Sequence, residues 1–197
     1  MDILTECIQA LSSLPGIGSK SAQRMVYQLL RYQRKRAIHL ARCLQKAMEC
    51  LTTCEQCNNY TENTYCPLCE DPTRDPSILC IVENPWDIAA IEQSHVFSGR
   101  YFVLMGKISP LDGLGPEEIG LPKLFTHVQK NPIKEVIIAL TPSIETQTTL
   151  FFIHDLLKKT NVQISHLAHG IPSDSQLEFL DPGTIASALQ NRAIQHV

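Results

Sequence analysis

Four cysteines in the order Cys54-x2-Cys57-x8-Cys66-x2-Cys69 constrain this chain more than any other feature. Each C-x2-C pair can put two thiolates on one side of a tight turn, and two such pairs complete a tetrahedral Zn2+ shell. The segment between them, Asn58-Asn59-Tyr60-Thr61-Glu62, is polar and has nothing with which to build a core. It needs a staple. A closed set of four thiolates leaves no position for water, so the expected ion is one structural Zn2+ rather than a catalytic one. The competing reading, four free thiols in a loop, would be a dense oxidation liability. Cys50 is an alternative ligand of less regular spacing, while Cys7, Cys43 and Cys80 fall in apolar patterns that predict core positions. The start, MDILTECIQALSSLPG, lacks the basic opening of a signal peptide. No apolar run approaches the roughly 20 residues of a membrane span. The expected location is therefore cytoplasmic, where thiols stay reduced.

The net charge of −3 conceals an asymmetry. Residues 1–50 carry eight Lys/Arg against Asp2, Glu6 and Glu49, whereas the rest carries nine basic and seventeen acidic side chains. A basic binding arm on an acidic body has this distribution, and so does a plain solvated basic helix. What separates them is the string Leu14-Pro15-Gly16-Ile17-Gly18, the single break expected in the helices of residues 1–52. Gly16 and Gly18 let the backbone approach a ligand. The helix that begins at Ser19 adds free amides and its positive dipole end. At 100° per residue, Lys20, Arg24, Arg31 and Lys35 fall within about 60° of one another, opposite an apolar face of Ala22, Met25, Val26, Leu29 and Leu30. Gly16, Gly18, Lys20, Arg24 and Arg31 are accordingly the expected contacts to DNA phosphates, without base readout.

From Ser77 onward apolar runs alternate with helical patterns. Ile78–Val82 and Val136–Leu140 read as strands buried on both faces, Tyr101–Leu104 and Val162–Ile164 as weaker strands, and 86–93, 117–130 and 144–159 as helices. That alternation predicts an α/β unit: a parallel sheet with helices on both faces. Glu83 and Glu145 follow the two main strands, at the edge where such sheets place their sites. Together they could hold Mg2+, although Glu145 also suits the first turn of a helix. The long loop 106–116 lacks the residue order of a nucleotide phosphate cradle. The seven histidines form no metal-binding pattern.

Several strings resemble the bacterial RecR family: LPGIGSKSAQRM at 14–25, the cysteine cluster followed by Arg74, ILCIVENPWDIAAIE at 78–92, and FSGRYFVLMGKISPLDGLGPEEIGL at 97–121. The resemblance implies a helix-hairpin-helix region for DNA binding and oligomerisation at 1–52, a C4 zinc finger at 53–70, a Toprim domain at 77–172 and a C-terminal arm at 173–197. It implies a nucleoid-associated DNA-repair protein that forms a dimer or a tetrameric ring, with no membrane partner. Such a protein works with RecO, and with RecF as a further candidate, to load recombinase onto gapped DNA coated with single-strand-binding protein, meeting both double- and single-stranded DNA. It also implies zinc ligation by Cys54, Cys57, Cys66 and Cys69, DNA contact by Lys20 and Arg24, and the Toprim glutamate position for Glu83. Two strings depart from the family pattern: Ser143-Ile144-Glu145-Thr146-Gln147 lacks a glycine and one acid, and Pro172-Ser173-Asp174-Ser175-Gln176 replaces a glycine-rich segment. Both bear on partner contacts rather than on the fold.

The alternative is a metal-dependent nuclease or primase-like enzyme of the Toprim type, using Glu83. Phosphoryl chemistry of that kind needs clustered acids to hold its ions. Leu140–Gln147 contains no D-x-D pair and only Glu145, so the expectation is a protein with no catalytic residues.

Overall fold

The computed structural model describes residues 2–141, 144–167, 180 and 182–185, and of residues 144 and 145 the backbone alone. The chain divides into two compact units, Met1–Thr52 and Thr53–Val197. Most of the expected C-terminal arm, the 172–176 string and Ser143 lie outside the described residues.

The first unit is helical. The carboxylate of Asp2 accepts the Thr5 amide at 2.7 Å and caps α1 (Ile3–Ser12). A turn at Pro15-Gly16, closed by the Ile17 amide on the Leu14 carbonyl at 3.1 Å, leads into α2 (Ser19–Tyr32). A second break follows at Gln33, whose φ of −136° and ψ of 33° leave the helical region before α3 (Arg34–Cys50) starts. The expectation of one break is thereby corrected, and Lys35 moves onto α3, off the basic stripe of α2. Ala22 and Val26 are buried, but Met25 and Leu30, expected on the packed face, are 42% and 44% exposed. Cys7 and Cys43 are exposed too, against expectation. The reason is geometric: the helices of this unit share a narrow seam, so apolar residues beside the seam stay at the surface.

In the second unit a short ribbon, β1 (Thr52–Thr53) with β2 (Tyr60–Thr61), and a single helical turn, α4 (Pro67–Glu70), frame the cysteine-rich module. Four parallel strands follow among the described residues, β3 (Asp75–Val82), β4 (Gly99–Val103), β5 (Glu135–Ala139) and β6 (Gln163–His166), in the spatial order β4-β3-β5-β6. The crossovers carry α5 (Pro85–Glu92), α6 (Leu121–Lys130) and α7 (Ile144–Leu157). Alternation along β3 sorts the core into two layers. Leu79 and Ile81 join Phe102, Val136 and Ile138 beneath α6 and α7, and Cys80 and Val82 join Tyr101 and Val103 beneath Ile88 of α5. Both faces are covered, so the main strands read as continuous apolar runs. The helix expected from residue 117 starts only at Leu121, because Gly120 takes a φ of +77° and Pro122 sets the first turn.

Two polar devices hold this unit together beyond its core. The Arg74 guanidinium, just before β3, donates to the Gly99 carbonyl at 2.9 Å and pairs with Glu92 of α5, whose other oxygen accepts from Tyr101. Burial works to raise the Glu92 carboxyl, but the bonds from Tyr101 and Arg74 outweigh it and hold the group below the usual carboxylate range. The second device is the buried His127 of α6, 6.0 Å from the Phe102 ring. Burial, reinforced by the charges of Arg100 and Lys123, lowers its imidazole to about 4.

The sign of the resulting pH dependence is fixed. Below about pH 6.5 the unfolded chain takes up a proton that the folded His127 refuses until about pH 4, so stability is full above that window and falls through it. Urea titrations between pH 7 and pH 4 should show His127→Gln losing less stability than the parent, by up to about 3 kcal/mol. Parallel losses in the two proteins would assign the acid sensitivity elsewhere.

Candidate metal centre and nucleic-acid hairpin

The Sγ atoms of Cys54, Cys57, Cys66 and Cys69 all lie within 4.8 Å of one another, with Cys54–Cys69 at 3.9 Å and Cys57–Cys66 at 3.5 Å. Zn–S bonds of about 2.3 Å in a tetrahedron require S–S edges of about 3.8 Å, so the cage has the right size. Local backbone builds it. Asn58 adopts a φ of +64°, and its amide returns to the Cys54 carbonyl at 3.0 Å, which folds the first pair onto itself. Cys66 caps α4, bringing Cys69 one turn onward, and the Cys66 amide donates to the Cys54 sulfur at 3.3 Å. Cys50, the alternative ligand, is exposed and stands outside the tetrad.

The crowding of four thiols in one cage explains why an ion belongs here. Hydrogen bonds from Cys57 and Cys69 hold the Cys66 thiol far below its ordinary value. Hydrogen bonding to that neighbour pushes Cys57 far up, and hydrogen bonding to Cys57 and Cys66 does the same to Cys69. One negative charge is accommodated and further ones are opposed. A dication reverses that opposition, because it is the deprotonated thiolate that ligates. Among the described residues no other group of three or more His, Cys, Asp or Glu side chains is close enough to share an ion.

The cage is also fastened to the sheet. The Val103 amide at the end of β4 donates to the Cys57 carbonyl at 2.8 Å, and the Asn58 side chain donates to the Val103 carbonyl at 3.0 Å. Lys123 of α6 reaches the Cys54 carbonyl at 3.2 Å and the Asn58 side-chain oxygen. Sequence reasoning missed Lys123, since nothing in the spacing ties residue 123 to residue 54.

In the first unit, Gly18 caps α2 through its backbone with no side-chain bond, so the first amides of that helix have no protein side chain on them. A Cβ built on Gly16 or Gly18 would meet nothing within 4 Å, and Gly16 has a φ of +78°. The approach to these amides is open. Lys20, Arg24 and Arg31 are exposed and in no ion pair among the described residues, and the Arg31 guanidinium lies 4.9 Å from the Tyr32 ring centroid. This is an anion-ready helix start flanked by unneutralised cations.

The carboxylates are less developed. β3 and β5 are neighbours, with Val82 opposite Ala139, so the segments that carry Glu83 and Glu145 leave the same edge of the sheet. Glu83 is half-buried, and its carbonyl accepts the Gly106 amide at 3.1 Å. Glu145 sits in the first turn of α7, and its side chain lies outside the description.

Family models match the chain from end to end: RecR helix-hairpin-helix at 4–48, the RecR four-cysteine zinc finger domain at 51–71, Toprim domain at 77–168 and RecR C-terminal at 170–193. Over 197 residues it is 61% identical to the "Recombination protein RecR" of Legionella pneumophila subsp. pneumophila (strain Philadelphia 1), covering 100% of this chain and 99% of that one. The chain belongs to the RecR family. A second relative of the same name, from Stutzerimonas stutzeri (strain A1501), is 46% identical over 190 residues, 96% of this chain and 95% of that one. Membership of the RecR family supports a role in recombination repair, and its four-cysteine module together with the observed cage indicates a structural zinc ion. No described helix is long and apolar enough to cross a membrane.

Purified protein prepared without chelator should contain about one zinc per chain. Stripping the metal should abolish protection of the Val103 amide in hydrogen exchange, because that amide bonds to the cage backbone. Zinc well below one per chain, or unchanged protection after stripping, would count against the cage.

Proposed function

We propose that this chain is a recombination mediator with no catalytic residues of its own: an oligomeric, zinc-containing DNA-binding protein that acts with RecO, and with RecF as a further partner, to load recombinase onto gapped DNA coated with single-strand-binding protein. The observation that carries this reading is the open hairpin at Gly16–Gly18, with Lys20, Arg24 and Arg31 unneutralised beside the free start of α2. Phosphate contacts of this sort supply affinity without sequence readout, which suits a protein that must act at any gap. Regions 1–52, 53–70, 77–172 and 173–197 take the roles of DNA-binding and oligomerisation region, zinc finger, docking platform and arm.

Self-association is favoured by α3, where Ile38, Leu44 and Met48 are 52%, 55% and 78% exposed. Apolar side chains grouped on one helix to that extent suit an interface, for a dimer or a tetrameric ring. The non-enzymatic reading rests on the sequence, where Leu140–Gln147 holds no D-x-D pair and Glu145 alone to accompany Glu83. The protein then works in the cytoplasm at the nucleoid, with Glu83 and Glu145 on the edge offered to partners.

Lys20→Ala/Arg24→Ala should weaken duplex DNA binding at low salt by at least about tenfold and flatten its salt dependence by about two phosphate contacts, with helix content and zinc unchanged. Light scattering with and without RecO, beside gapped-DNA binding of each mixture, tests the mediator role. An oligomer that joins RecO and gains DNA binding is expected, and a monomer indifferent to RecO would refute it.

A further inference from the structure

Where the zinc module meets α6, the second unit has an open cavity of about 510 Å3. Its wall carries three cations, Arg100 of β4 and Lys123 and Lys130 of α6, against one carboxylate, Glu55. The surrounding unit is acidic, with nine basic and seventeen acidic side chains over residues 53–197, so this is a local reversal of charge.

None of the three cations is neutralised among the described residues. Arg100 is in no ion pair, and its Nε is buried without a hydrogen-bond partner. Lys123 is held by uncharged oxygens, the Cys54 carbonyl and the Asn58 side chain. Lys130 is exposed and unpaired. Between them stands His127, neutral at physiological pH, whose Nδ1 faces the Asn131 amide nitrogen at 3.3 Å and so keeps its proton on Nε2. Three cations that share a wall with a single carboxylate repel one another and are relieved by a bound anion. Tyr65 of the zinc module, 43% exposed, adds an aromatic ring to the lining.

We propose that this cavity is a second nucleic-acid site, which takes the backbone of single-stranded DNA between Arg100, Lys123 and Lys130 and stacks a base on Tyr65. Phosphate neutralisation beside an aromatic platform is how proteins hold single strands without sequence preference. A duplex has no unstacked base to offer Tyr65, so the site discriminates by strandedness. All of its lining residues belong to the second unit, whereas the hairpin belongs to the first.

The test uses the full zinc-loaded chain with Lys20→Ala/Arg24→Ala, so that hairpin binding does not mask the cavity. An oligo(dT) carrying 5-iodouracil is photo-crosslinked and the adduct mapped by mass spectrometry, while anisotropy follows affinity. A crosslink at Tyr65 is expected. Lys130→Glu, at an exposed position that leaves the core untouched, should weaken oligo(dT) binding about tenfold and lower the salt slope by about 0.7 per lost phosphate contact. In the parent chain, Lys130→Glu should leave duplex binding unchanged. Absence of the Tyr65 crosslink together with parental affinity for Lys130→Glu would overturn the proposal. So would thymidine monophosphate that displaces the oligomer at equal nucleotide concentration, which would mark a free-nucleotide pocket. Capture of oligo-glutamate without any oligo(dT) crosslink would likewise overturn it, reassigning the cavity to acidic protein segments.

Discussion

Charge repulsion among four thiolates is the constraint around which the second unit is organised. The cage brings four sulfurs within 4.8 Å of one another in a segment with almost no apolar content. Such a segment folds when a dication makes the thiolate form the stable one. Once closed, the cage acts through its backbone rather than its sulfurs. Cys54 and Cys57 lend their carbonyls to Lys123 and Val103, so the geometry imposed by the ion is passed to α6 and to the end of β4. Arg74 then carries the chain from the module into the sheet and ties its start to Glu92 and Gly99.

The two units solve the folding problem differently. The second closes a two-layered apolar core on both sides of a parallel sheet, with Leu79, Ile81, Val82, Phe102, Val103 and Val136 at 0–1% exposure. The first buries little beyond Ala22 and Val26 and keeps Met48 78% exposed. A unit with so thin a core gains much of its stability from whatever covers it. This division is what the proposed mediator role calls for, with partners completing the thin first unit.

Much of this was legible in the sequence because the signals were local. The C-x2-C spacing specifies a cage within 16 residues. β-Branched runs at 78–82 and 136–140 specify doubly covered strands, and Pro-Gly followed by Ser-Lys specifies a turn into a helix. What escaped was non-local or depended on burial. The Arg74–Glu92–Tyr101 group joins residues far apart in sequence, and no periodicity marks it. Cys7 and Cys43 carry an apolar pattern that reads as core, yet a pattern reports which face is apolar and not whether anything lies against it. The break at Gln33 was missed because no glycine or proline punctuates it. The cationic cavity needed the fold to bring residues 65, 100 and 123–130 together.

The position of β4 gives the cage one more consequence. In the order β4-β3-β5-β6, β4 is an outer strand among the described residues, and the outer rim of a sheet is a template on which other chains can add. The Cys57 carbonyl and the Asn58 side chain occupy the amide and the carbonyl of Val103, the last residue of that strand. The metal module therefore doubles as a cover over this margin, where Tyr101, Phe102 and Val103 are buried. Loss of the metal would free both backbone groups of Val103 and open that rim to pairing with other chains.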